Sequence, residues 1–148
     1  QVAALQTAGV NVAIGTDGAA SNNDLDMLAE LRLTAILAKG TSGDASAVPA
    51  HTALRMATLD GARCLQLDHL VGSIEVGKQA DFAAFSLDGA ASIPTYDPVS
   101  QLVYATTRDQ VSDVWVAGNR QVRDGTLVGF DIDELRNNGE SWARRIRG

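Results

Sequence analysis

Residues 9–23 read Gly9-Val10-Asn11-Val12-Ala13-Ile14-Gly15-Thr16-Asp17-Gly18-Ala19-Ala20-Ser21-Asn22-Asn23. A short apolar run ends on an aspartate that has a glycine two residues before it and another directly after it. A carboxylate at the C-terminal end of a buried strand is where an α/β barrel does its chemistry. The glycines let backbone and ligand approach closely. Asp17 is therefore the first candidate for proton transfer, substrate contact or metal ligation. The alternative is structural, because an aspartate after a strand often caps the turn or helix that follows. Ser21, Asn22 and Asn23 stand where a loop would line the mouth of such a site, and Ser21 is a candidate substrate contact. Turn and capping chemistry uses the same residue types. Asp24 reads as a helix cap.

Few other side chains can join Asp17. His51, His69 and Cys64 are the remaining soft ligands of the chain, and none has a second His or Cys at ligand spacing. His51 falls in the first turn of a helix behind Pro49, and His69 in a linker flanked by leucines. Both read as ordinary surface or packing residues, and Cys64 as a small buried apolar one. One cysteine cannot supply the His-x-Glu and Pro-Cys-x-x-Cys set of the cytidine-deaminase fold. The pair Gly72 and Gly77 is followed by Lys78-Gln79 and a strand, which defeats a phosphate loop. No Gly-x-Gly-x-x-Gly opens a helix after a strand, which defeats a dinucleotide site.

The elements that must position these residues follow from pattern. Val2–Ala8 reads as the end of a helix stopped by Gly9, and Val10–Ile14 as a strand covered on both faces. A helix behind Asp24 carries Leu25, Leu28, Leu31, Leu33, Ile36 and Leu37 through Lys39-Gly40. A loop over 41–49 leads to a second helix from Ala50 to about Leu65, with Leu54, Ala57, Ala62 and Leu65 as inner positions. Residues 80–87 read as a strand, and Asp97-Pro98 starts a short helix through Tyr104. Val111–Ala117, a Gly118-Asn119 turn and Arg120–Arg123 make a hairpin, with Asp113 and Trp115 on one face and Val114 and Val116 on the other. From Asp131 an amphipathic helix runs to the end. Ile132, Leu135, Trp142 and Ile146 are its expected docking residues, and Arg144, Arg145 and Arg147 form a solvated, dipole-compatible terminus.

The chain has 148 residues, 45% hydrophobic and 20% charged, with a formal net charge of −6. That balance suits a soluble globular domain and opposes binding to nucleic acid or to an anionic membrane. A single cysteine fits a reducing cytoplasm. No apolar run approaches the ~20 residues of a membrane span, and the first residues lack a signal pattern. A start at Gln1, midway through a helix, is expected of a piece of a longer protein.

Four motifs in order carry a resemblance over essentially the whole chain: Gly15-Thr16-Asp17-Gly18 with Ser21-Asn22-Asn23; Ala57-Thr58 with Gly61-Ala62-Arg63; Gly72-Ser73-Ile74-Glu75-Val76-Gly77-Lys78-Gln79-Ala80-Asp81-Phe82; and Val114-Trp115-Val116-Ala117-Gly118-Asn119. Together they resemble the C-terminal third of the amidohydrolase superfamily, in its cytosine deaminase, chlorohydrolase and methylthioadenosine/S-adenosylhomocysteine deaminase branch. The resemblance implies an α/β fold, the C-terminal part of a (β/α)8 barrel joined to part of a small composite β-sandwich. Residues 1–65 would supply the last barrel strand and helices, 66–130 the sandwich portion and 131–148 a C-terminal helix.

It further implies one divalent metal ion, zinc or alternatively iron(II), ligated by Asp17 together with histidines this chain does not contain. Asp17 would also take the proton of the attacking water and help protonate departing ammonia. The implied activity is hydrolytic deamination of 5'-methylthioadenosine or S-adenosylhomocysteine. Hydrolysis of triazine, guanine or cytosine-type rings, or an inactive partner protein, are the alternatives. A small-molecule substrate, a homodimer, and inactivity of the 148 residues alone are expected.

Overall fold

Local chemistry decides where each helix begins. In the computed structural model, which describes residues 2–148, α1 spans Val2–Thr7 and Gly9 ends it at φ 75°. α2 spans Met27–Ser42. Its cap is Asp26, whose Oδ1 accepts from the N–H groups of Leu28 (2.9 Å) and Ala29 (3.3 Å). The cap expected at Asp24 is thus displaced, because Leu25 takes a φ of 50° that no helical turn accommodates. Asp24 pairs instead with Arg108. α2 also runs past Gly40 to a left-handed Gly43. The Thr41 and Ser42 hydroxyls, expected in a loop, donate to the Leu37 and Ala38 carbonyls.

The single helix expected from Ala50 to about Leu65 is two, α3 (Ala50–Ala57) and α4 (Leu59–Cys64), broken at Thr58 with φ −124° and ψ −94°. The Thr58 hydroxyl donates to the Leu54 carbonyl (2.8 Å). Beyond the break Asp60 turns inward and accepts from Arg55 (3.1 Å) and Arg63 (2.9 Å). A helical face extrapolated from α3 no longer holds there. Leu65, expected inside, is 71% exposed. Cys64, expected buried, is exposed and lies 3.0 Å from the Asn11 amide nitrogen. Ala62 is buried as expected. Gly72 packs so closely on α4 that an added Cβ would meet the Ala62 Cβ at 2.7 Å.

The strands β1 (Phe82–Phe85), β2 (Val111–Val116), β3 (Asn119–Arg123) and β4 (Thr126–Leu127) form an antiparallel meander in that order. The β2–β3 turn is Ala117-Gly118, with φ of 49° and 78°. That is the primed geometry matching strand twist. It lies one residue earlier than the expected Gly118-Asn119, because Val116 pairs with Asn119. A second such turn at Asp124-Gly125, with φ of 48° and 73°, adds β4. Asp-Gly is its ordinary sequence signal. Asp113 and Trp115 share a face: Arg120 Nε donates to Asp113 (2.8 Å) while its guanidinium covers the Trp115 ring. Phe82 packs tilted against the same ring, with centroids 4.9 Å apart.

α5 (Pro98–Tyr104) starts at Asp97, which accepts from the Val99 and Ser100 N–H groups at 3.2 Å each. Val103 of α5 joins Leu31, Ala35 and Ala38 of α2, together with Val48, Ala50, Ala53 and Met56, in one core. Arg32 fastens α2 to the end of α5 by donating to the Val103 (3.2 Å) and Thr106 (2.6 Å) carbonyls. α6 (Ile132–Arg147) begins at Asp131 as expected but buries no residue. Its expected docking residues Ile132, Leu135, Trp142 and Ile146 are 37% to 82% exposed, because an apolar stripe is buried only where a surface faces it. Among the described residues no helix is long and apolar enough to cross a membrane.

Candidate functional site

Residues 10–16 lead from α1 to Asp17 outside any helix or ladder. The Ile14 N–H donates to the Met56 carbonyl (3.2 Å), and Val12 and Ile14 pack on the core, while Val10 is 49% exposed. Burial of this run on both faces, expected from its apolar character, is not met among the described residues. A strand completes its ladder only beside another strand, and all four β-strands described here pair among themselves.

Asp17 stands at the end of this run with φ 61°, a left-handed conformation aspartate tolerates better than most residues. The Gly18 N–H donates to Asp17 Oδ1 at 2.6 Å. This bond, followed by the neighbouring Ser21 hydroxyl, holds the carboxyl below the usual carboxylate range. Asp17 is exposed and ionised at neutral pH, so its oxygens can only accept protons, hydrogen bonds or a cation. It does not cap the helix that follows; Asp26 does.

Behind Asp17 the chain closes a turn on the Gly18 carbonyl, which accepts from the N–H groups of Ser21 and Asn22, both at 3.0 Å. Ser21 is exposed, and its hydroxyl donates to the same carbonyl at 3.2 Å. Asn22 does the capping work of the loop. Its Oδ1 accepts from the Asp24 (3.2 Å) and Leu25 (3.3 Å) N–H groups, and its Nδ2 donates to Glu30 Oε1 of α2 (2.7 Å). Arg108 adds a tether from the far side of the chain through Asp24. The sequence offers Asn22 as a mouth-lining or turn residue, not as a tether to Glu30. An asparagine two residues before Asp24 is the available signal, whereas a partner 84 positions away leaves none.

Asp17 and Ser21 are brought together; His51, His69 and Cys64 are not gathered with them. Among the described residues no group of three or more His, Cys, Asp and Glu side chains could hold a metal ion. The chemistry of Asp17 suits one ligand position, and these residues do not complete a metal site. A hollow of about 650 Å³ opens at the other end of the 10–16 segment, among Gln6, Val10, Asn11, Arg55 and Asp60. One of about 340 Å³ lies between the start of α2 and the sheet, at Leu25, Met27, Phe85 and Arg108. Neither includes Asp17.

Comparison with known proteins places this geometry in context. The sequence matches the model of the amidohydrolase family over residues 2–121. It is 46% identical over 144 residues to the 5-methylthioadenosine/S-adenosylhomocysteine deaminase of Teredinibacter turnerae, covering 97% of this chain and 33% of that protein. Against the enzyme of the same name from Moorella thermoacetica it is 48% identical over 128 residues, 86% of this chain and 30% of the relative. Among solved structures, an adenosine deaminase from Xanthomonas campestris with bound zinc superposes with TM-score 0.95 at 51% identity, covering 99% of this chain and 33% of that one. A zinc-complexed atrazine chlorohydrolase from Arthrobacter aurescens superposes with TM-score 0.87 at 31% identity, covering 95% and 31%. The chain spans about a third of the length of the curated relatives it matches.

Proposed function

The chain belongs to the amidohydrolase family, and from that premise we propose that it supplies the Asp17 side of the active site in a metal-dependent deaminase of adenosine-type nucleosides. 5'-Methylthioadenosine and S-adenosylhomocysteine are the substrates proposed, in line with the names of its relatives. The observation that carries the reading is the state of Asp17. It is an exposed, ionised carboxylate at the end of a segment whose Val12 and Ile14 pack on the core; it is held by a backbone N–H and caps no helix.

A bound zinc or iron(II) ion would supply Lewis acidity, lowering the pKa of water from about 15.7 towards 7. Asp17 would hold that ion through one carboxylate, with the remaining ligands drawn from polypeptide beyond these 148 residues. The same carboxylate accepts a proton from the attacking water and delivers it towards the departing amine. Ser21, on the same turn, is proposed to contact the substrate. Residues 1–65 are proposed as the last strand and helices of the barrel, 66–130 as the sandwich portion and 131–148 as a C-terminal helix. A cytoplasmic, homodimeric enzyme completes the proposal. The likeness to a zinc-complexed atrazine chlorohydrolase favours a second reading, hydrolysis of a triazine-type ring.

The test uses the longer polypeptide this reading requires. Asp17→Ala is expected to lower ammonia release from these nucleosides by several orders of magnitude with an unchanged circular dichroism spectrum. Undiminished release overturns the role of Asp17. Turnover of a chlorotriazine, with none of either nucleoside, selects the second reading. The 148 residues alone are expected to release no ammonia.

A further inference from the structure

We infer that Asn22 is a positioning residue for Asp17, fastening the loop that carries the carboxylate to α2 through Glu30. The inference rests on the reading of Asp17 above. The loop from Asp17 to Leu25 contains no helix or strand, and both its ends take positive φ, 61° and 50°. Such a backbone keeps one conformation only where its surroundings over-determine it.

Asn22 is where those constraints meet. Its main-chain N–H closes the turn on the Gly18 carbonyl (3.0 Å), and Gly18 is the residue whose own N–H holds Asp17 Oδ1. Its side-chain oxygen gathers two further N–H groups, and its side-chain nitrogen reaches Glu30 at 2.7 Å. An amide alone combines that acceptor with that donor; an aspartate has no donor, and a serine is too short to span both. The bond to Glu30 is partly buried and well within hydrogen-bond range at 2.7 Å. The other tether, Arg108 to Asp24, is 58% exposed on both sides, where ion pairs contribute little. Positioning of the loop therefore rests on Asn22.

The experiment compares Asn22→Ala, Asn22→Asp and the double variant Asn22→Asp/Glu30→Gln with Asp17→Ala in the longer polypeptide. Asn22→Ala is expected to lower kcat about 10- to 100-fold, the scale of a small misplacement of a catalytic group, with KM changed less than about threefold. Asn22→Asp sets two carboxylates against each other and is expected to be as impaired. The double variant restores a donor facing an acceptor and is expected to recover most of kcat. Hydrogen exchange of the peptide spanning residues 17–26 is expected to quicken in the single variants and slow again in the double. If Asp17→Ala abolishes release while Asn22→Ala leaves kcat and exchange unaltered, Asn22 has no positioning role and the reading of Asp17 stands. Failure of the double variant to recover kcat or exchange overturns the inference as well. Full activity of Asp17→Ala removes both.

Discussion

α2 and α6 are each sixteen residues long and begin on an aspartate whose Oδ1 accepts from the N–H groups two and three positions on. The last turn of α2 carries Lys39, and that of α6 carries Arg144, Arg145 and Arg147. Their fates differ. α2 buries Leu31, Ala35 and Ala38 against α3 and α5, and α6 buries nothing. Capping chemistry is local and determines where a helix starts. Burial of its apolar side depends on a facing surface, which α2 finds in α3 and α5. Even α2 is only partly served, since Leu33, Ile36 and Leu37 on its remaining surface stay about half exposed.

The largest effect that could break this comparison comes from emptying the two helices' apolar positions. Leu31→Ala is expected to cost about 2–5 kcal/mol, through lost transfer energy and the cavity left behind. Leu135→Ala, at a position 46% exposed, should stay within about 0.5 kcal/mol. Urea unfolding measures both, and equal losses would show that α6 is packed after all.

Removing the caps gives a smaller effect and sharpens the contrast. Asp26→Ala and Asp131→Ala should each weaken their helix by about 1 kcal/mol. The first is expected to lower the global unfolding midpoint. The second should quicken amide exchange within α6 at an unchanged midpoint, because a helix without buried contacts opens locally.

The smallest effect is acid dependence, compared between core and sheet. The Ser100 hydroxyl is the main cause that holds Asp97 below the usual range, and Arg120 does the same for Asp113. In each case the folded form releases its proton more readily than the unfolded chain, whose aspartates titrate near 3.9. The unfolded state therefore binds more protons in that window, and stability falls as pH drops below about 4. Asp97→Asn should flatten the acid limb of global unfolding, since α5 belongs to the core. Asp113→Asn should leave that limb nearly unchanged and loosen exchange in β2 and β3. The reverse pattern would mean that the sheet, not the helical cluster, limits stability.

Much was legible in local pattern. Asp97-Pro98 and Asp131 marked helix starts, Gly9 marked a stop, and the face shared by Asp113 and Trp115 followed from alternation. The order of motifs around Asp17 pointed to the family that residues 2–121 match. These features depend on neighbours a few bonds away, where one residue's chemistry suffices. Other features were set only when distant segments met. Thr58 breaks a helix that periodicity would continue, which turns Asp60 inward between two arginines and leaves Leu65 and Cys64 outside. Asn22 finds Glu30, and Arg108 finds Asp24 across 84 positions. Which residues can cap, turn and ionise is written in the order of the chain, because those properties belong to single side chains and their immediate backbone. Tertiary structure alone decided which of them are buried, paired or held in place, because burial and pairing require a second surface that no local pattern specifies.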